Sequence, residues 1–234
     1  RENREARGSR EVLRFDAVER AVHWSTAVLV LTLIATGAIL YVPSLALAIG
    51  HRAIVEQVHV VSGLAMFGPL LVGVAGPWRQ RLLGDIRRFD TWTREDWAWF
   101  HISRARRLAG GRGKFNGGQK AEAVFIAGAM LAMLVTGIVM RWSPPFSNHW
   151  ATGATFIHDW GFVAIGAAIT AHIAFALSRP DQFRAIFTGR IPRHWAKVHA
   201  PTWLAELDES GEAQRPSSRS TSSECSPLRG GGRR

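Results

Sequence analysis

The chain has 234 residues, 47% of them hydrophobic, and carries 29 Lys and Arg against 18 Asp and Glu, a formal charge of +11. A single cysteine, Cys225, excludes an internal disulfide, a CxxCH haem attachment and a cysteine-ligated iron–sulfur cluster. The positive charge is divided among separate loops rather than gathered on one face, which argues against a nucleic-acid partner. No Walker loop, nucleophile elbow, dinucleotide fingerprint or solenoid repeat occurs.

Residues 1–11 are charged, lack apolar periodicity and are expected to be disordered. Residues 22–42 then read VHWSTAVLVLTLIATGAILYV, without a charge. This stretch has no small-residue cleavage pattern and does not read as a signal peptide. Residues 58–78 are a second uncharged stretch and residues 123–140 a third, while residues 154–178 carry only Asp159. Each approaches the ~20 apolar residues that cross a bilayer core. The expected fold is all-α, an integral membrane four-helix bundle over residues 12–207.

The connection from Pro77 to Gln119 holds Thr93 followed three residues later by Asp96, then Trp97, Trp99, Phe100 and the basic run 104–107. A capping box followed by aromatic and basic residues predicts a short helix at the cytoplasmic interface. Residues 208–234, rich in Ser, Gly, Pro and Arg, are expected to form a disordered tail.

Charge sets the expected orientation. Six arginines precede Ala21, ten Lys or Arg lie in the middle connection, and the stretch after Ser178 is basic again. The connection after the first span offers only Arg52 and the one after the third only Arg141. Positive charge stays on the cytoplasmic side, so both termini are expected inside.

Four histidines, His23, His59, His158 and His172, fall in the apolar stretches, where an ionisable side chain is costly. His158 and His172 are 14 residues apart, about 21 Å along one helix and nearly on the same face. With the first helix running outward and the second and fourth inward, depth pairs His23 with His172 and His59 with His158. Two bis-histidine haems result, one towards each surface, unlike a zinc site that gathers its ligands at one point. Gly37 and Gly73 each follow a histidine by 14 residues and are expected to leave room for a porphyrin edge at the opposite site. His51, His101, His149, His194 and His199 read as solvated surface residues, and Glu56 and Asp159 as interfacial acids.

The chain resembles the di-haem cytochrome b (gamma) subunit of membrane-bound respiratory formate dehydrogenases. The resemblance covers residues 13–207. Its carriers are Arg14-Phe15, Glu19-Arg20, His23-Trp24, His59 with Gly63, the block Phe115-Asn116-Gly117-Gly118-Gln119-Lys120, then His158, His172, Trp195-Ala196-Lys197, Pro201 and Trp203. It implies that the four histidines ligate two b haems and that Asn116, Gly117, Gly118 and Gln119 form a quinone pocket for menaquinone or ubiquinone. It also implies partners: an iron–sulfur subunit and a molybdenum or tungsten catalytic subunit, in a prokaryotic plasma (inner) membrane. For the block 116–119 alone, an Asn-Gly turn entering a helix is the alternative. A cytochrome b of a hydrogenase or another molybdo-oxidoreductase, a haem-free anchor and a small transporter remain alternatives for the whole chain. The middle connection and the long polar tail depart from the family pattern.

Overall fold

The computed structural model describes residues 11–101, 103, 113–142 and 147–211. The stretches 1–10 and 212–234, with Cys225, and the basic run 104–107 lie outside the described residues.

Two of the long helices begin at capping boxes rather than at the first apolar residue. Glu19 N–H donates to Asp16 Oδ1 at 2.8 Å and Asp16 N–H donates to Glu19 Oε2 at 2.6 Å. This capping box opens α1 (Ala17–Tyr41) ahead of the apolar run. Pro43 starts a short α2 (Pro43–Ile49). The second crossing is two helices, α3 (Arg52–Ala65) and α4 (Gly68–Ala75), where the sequence predicted one. Pro69 has no N–H to donate and its ring excludes the carbonyl four residues back, at Ala65, where α3 stops.

A second box, Asn116 with Gln119, opens α7 (Gly117–Arg141). The last crossing, α8 (Asn148–Leu177), has 30 residues, about 45 Å of helix. α1, α3–α4, α7 and α8 are the four helices long and apolar enough to cross a membrane. α1 packs on α3 and α8, and α7 on α8 and α3, closing a four-helix bundle. Val30, Met66 and Met130 fill its centre, with Leu33, Ile34, Leu134 and Ile169 around them. Val28, Leu31, Leu131, Phe156 and Val163 point outward and are exposed, a surface suited to lipid tails, which are as apolar as leucine.

The middle connection is built rather than loose. It contains the expected α6 (Arg94–His101), where Thr93 N–H donates to Asp96 Oδ2 at 2.9 Å and Asp96 N–H donates back to Thr93 Oγ1 at 3.3 Å. It also contains an unanticipated α5 (Arg79–Asp90) with Leu82 and Asp85 buried. Lys114, 8% exposed, ion-pairs with Glu19 of α1 at 3.1 Å and with Asp85 of α5. Lys120 reaches Asp96 of α6 at 2.6 Å and the Thr91 carbonyl at 2.9 Å.

The chain ends meet on the same side. β1 (Glu11–Leu13) pairs antiparallel with β2 (Arg190–Pro192), Val12 opposite Ile191. α9 (Pro180–Thr188), α10 (Arg193–His199) and α11 (Pro201–Glu209) complete a small cap. Its core is Val12, Ala185, Ile191, Ala196, Trp203 and Leu204. Gly189 enters β2 at φ +77°, where a Cβ would lie 2.3 Å from the Phe15 carbonyl oxygen, so no other residue fits without rearrangement. The ordered unit thus takes in Glu11 and runs on to Glu209.

Lys114→Ala strips two buried carboxylates of the ammonium they share. Breaking a buried pair from one side costs about 3–5 kcal/mol. The expected result is a clearly lowered unfolding temperature in detergent, measured by thermal denaturation against the wild type.

Candidate functional site

The bundle brings the four intramembrane histidines together in pairs. His23 of α1 and His172 of α8 have ring centres 6.4 Å apart, and His59 of α3 and His158 of α8 have ring centres 6.3 Å apart. Imidazoles bound to one metal from opposite sides, with nitrogen–metal bonds of about 2.0–2.1 Å, place their ring centres roughly 6 Å apart. Each gap therefore fits one six-coordinate metal ion. Among the described residues no group of three or more His, Cys, Asp or Glu gathers at a point.

Hydrogen bonds fix which nitrogen faces the gap. Thr36 Oγ1 donates its one hydrogen to the Thr32 carbonyl at 2.7 Å and lies 2.8 Å from His59 Nδ1. The hydroxyl oxygen can then only accept from His59 Nδ1–H. Thr136 repeats this, donating to the Ala132 carbonyl at 2.7 Å and accepting from His158 Nδ1–H at 3.0 Å. His172 Nδ1–H donates to Glu122 Oε1 at 3.0 Å, since a carboxylate has no proton to give. Three of the four rings are thereby held with Nε2 free as a lone-pair donor, the tautomer a metal ligand needs.

A cavity of about 470 Å³ lies beside His59 and His158, bordered by Gly37, Gly137, Met66 and Met130, with Arg52 and Arg141 at its rim. Its size is in the range of cofactor sites. A Cβ on Gly37 would sit 3.4 Å from His59 Cε1, and one on Gly137 3.4 Å from His158 Cε1. These contacts keep the flanks of both rings free of side chains, which suits a flat macrocycle. Gly73 does not do this. Its room is taken by Leu82 of α5 and Val22 of α1, 2.7 and 3.1 Å from an added Cβ. The 14-residue return to one face holds only along an unbroken helix, and the interruption at Pro69 separates Gly73 from His59.

The block 116–119 caps α7. Gln119 N–H donates to Asn116 Oδ1 at 3.0 Å, Asn116 N–H to Gln119 Oε1 at 3.1 Å, and Gln119 Nε2 to Gln182 Oε1 at 3.3 Å. A Cβ on Gly117 would meet the Asp96 carbonyl oxygen at 2.4 Å, and one on Gly118 the Trp99 ring at 2.4 Å. The two glycines let α6 lie against the start of α7. Asn116 and Gln119 also border a small cleft with Arg14, Gln182, Trp195 and His199. Arg14 is 4% exposed and stacks on Trp195. Its Nη2 donates to the Lys114 carbonyl at 3.0 Å, while Nε and Nη1 have no hydrogen-bond partner among the described residues. Burial pushes its pKa down to about 10, opposed by Asp85.

His51, His101, His149 and His194 are exposed as expected, whereas His199 is half-buried against Trp195, ring centres 4.7 Å apart. The sequence reading missed Thr36, Thr136, Gly137, Glu122 and the buried role of Arg14. One signal was available: the dipeptide Thr-Gly recurs at 36–37 and 136–137, at matching points of the first and third spans.

A family model described as prokaryotic cytochrome b561 matches residues 14–189. The formate dehydrogenase cytochrome b556(fdo) subunit of Escherichia coli K12 is 27% identical over 212 residues, 86% of this chain and 95% of that protein. The cytochrome b556(Fdn) subunit of the nitrate-inducible formate dehydrogenase from the same strain is 23% identical over 222 residues, 89% and 97% of the two chains. The formate dehydrogenase cytochrome b556 subunit of Haemophilus influenzae is 26% identical over 207 residues, 83% of each.

Thr36→Val and Thr136→Val each remove the acceptor that orients one ring of the His59–His158 pair. Losing such a partner lowers metal-site affinity by about 10–100-fold. Haem titration into apo-protein should show binding at the His59–His158 pair weakened in either variant and binding at the His23–His172 pair unchanged.

Proposed function

The chain belongs to the prokaryotic cytochrome b561 family, and from that premise we propose that it is the membrane-anchoring electron-transfer subunit of a formate dehydrogenase-type complex, holding two b-type haems. The observation that carries this reading is the two imidazole gaps of 6.4 and 6.3 Å at opposite depths of one multi-pass bundle. The formate assignment draws on the names of similar proteins.

In this reading His59 and His158 hold the outer haem, and His23 and His172 the inner one. Haem, when bound, supplies one-electron iron chemistry. The protein's own contribution is to orient the ligands through Thr36, Thr136 and Glu122, and to keep water out between the sites with Val30, Met66 and Met130. Gly37 clears space at the outer site. Gly73 has the lesser part of fitting α5 against α1.

The distribution of basic residues supports a reading in which both termini and the connection 77–119 are cytoplasmic. The iron–sulfur subunit and the molybdenum- or tungsten-containing catalytic subunit then dock outside, and a quinone, menaquinone or ubiquinone, is reduced inside near Asn116 to Gln119. The capping bonds of Asn116 use its oxygen, which leaves the amide N–H groups able to donate to a quinone carbonyl. Gly117 and Gly118 present first-turn N–H groups that have no intrahelical acceptor. Gln119 anchors the pocket wall through Gln182. Electrons taken up outside and protons taken up inside make turnover build a membrane potential.

Two measurements test this. A pyridine haemochrome assay should give two haems per chain, with His59→Ala and His23→Ala each losing one and keeping the other; a single haem, or joint loss in correctly inserted protein, sinks the pairing. Asn116→Ala should keep both haems and their reduction by the partner enzyme, yet slow reoxidation by an added menaquinone analogue in stopped flow. Reoxidation at the wild-type rate with unchanged inhibitor affinity would move the quinone elsewhere.

A further inference from the structure

The two histidine pairs have different partners behind them. Both outer rings donate to neutral hydroxyls, Thr36 and Thr136, whose own hydrogens are held by backbone carbonyls. At the inner pair His172 donates instead to a carboxylate, Glu122 Oε1, at 3.0 Å. Glu122 is the one acid in α7, between the capping turn and the apolar run. An acid at that position is costly and calls for a named partner, and that partner is the ring facing the inner gap.

We propose that Glu122 is a positioning residue for the inner site: by accepting the His172 Nδ1–H bond it makes His172 the most strongly donating of the four imidazoles and lowers the reduction potential of the inner iron. The inference rests on the haem reading given above. A carboxylate draws the Nδ1 proton towards itself and leaves negative charge on the ring, which raises the basicity of Nε2. A more basic axial ligand stabilises ferric over ferrous iron, and hydrogen bonding behind the ligands is one of the levers by which a protein sets a haem potential. A hydroxyl acceptor with its own hydrogen already engaged polarises the ring far less than a charged one. The effect is local to the inner site, because the outer pair lies on the far side of the apolar centre formed by Val30, Met66 and Met130. A lowered inner potential adds driving force to the last transfer, from the inner site to the electron acceptor.

The test is an optical redox titration of the purified holoprotein, with the components assigned through His59→Ala and His23→Ala. Glu122→Gln keeps size and hydrogen-bonding capacity but removes the charge. It should retain both haems and shift the inner reduction equilibrium about tenfold towards ferrous iron, about 59 mV for one electron. The outer component should stay where it is. Glu122→Asp should restore part of the shift, and the ferric low-spin EPR signal of the inner haem should change in Glu122→Gln alone. An unchanged inner midpoint with both haems bound, or an equal shift of both components, overturns the proposal while leaving the haem reading intact. Wild-type protein without b-type absorbance would instead overturn the haem reading itself.

Discussion

The interior of this bundle is organised by the hydrogen bond at Nδ1 of three of its four paired imidazoles. A polar nitrogen left without a partner at membrane depth costs several kcal/mol, and each ring has two. Thr36 of α1 serves His59 of α3, while Thr136 and Glu122 of α7 serve His158 and His172 of α8. These bonds stay within the pairs α1–α3 and α7–α8. The imidazole gaps run the other way, joining α8 to α1 and α8 to α3. Hydrogen bonds therefore set the register inside each helical hairpin, and the ligand gaps set how the hairpins face one another.

The basic side of the bundle applies the same economy to charge. Lys114 belongs to the basic middle connection, yet its ammonium is buried between Glu19 and Asp85. Arg14, one of six arginines ahead of the first span, is packed under Trp195. The Lys114 charge is thus a tie between α1 and α5.

Long-range features with a strong physical signal were legible in the sequence. Four apolar stretches, the cap at Thr93, and the nearness of His23 to His172 and of His59 to His158 all follow from hydropathy, capping chemistry and helix rise. What was hidden depends on contacts between distant segments. Beyond the repeated Thr-Gly dipeptide, nothing local marks Thr36 and Thr136 as histidine partners, because a threonine in a membrane helix ordinarily bonds its own backbone, as both do here. Glu122 fell just outside a span read from hydropathy, since a carboxylate ends an apolar window although the helix continues through it. α5 is amphipathic and strongly basic, so it reads as loop until Leu82 is seen against the Gly73 position. Gly73 shows the reverse error: arithmetic along a helix fails once a proline has broken it.

The two-stranded ribbon has a consequence for how the chain matures. β1 precedes every membrane helix and β2 follows all of them. During synthesis the first strand must wait, unpaired, until the ribosome has delivered the fourth helix and the segment behind it. Closure of the cap over Val12 and Ile191 therefore waits on the fourth membrane helix, and it cannot occur in a product truncated before β2. The ribbon acts as a completion latch, a seal that forms only on a chain whose four helices have all been made.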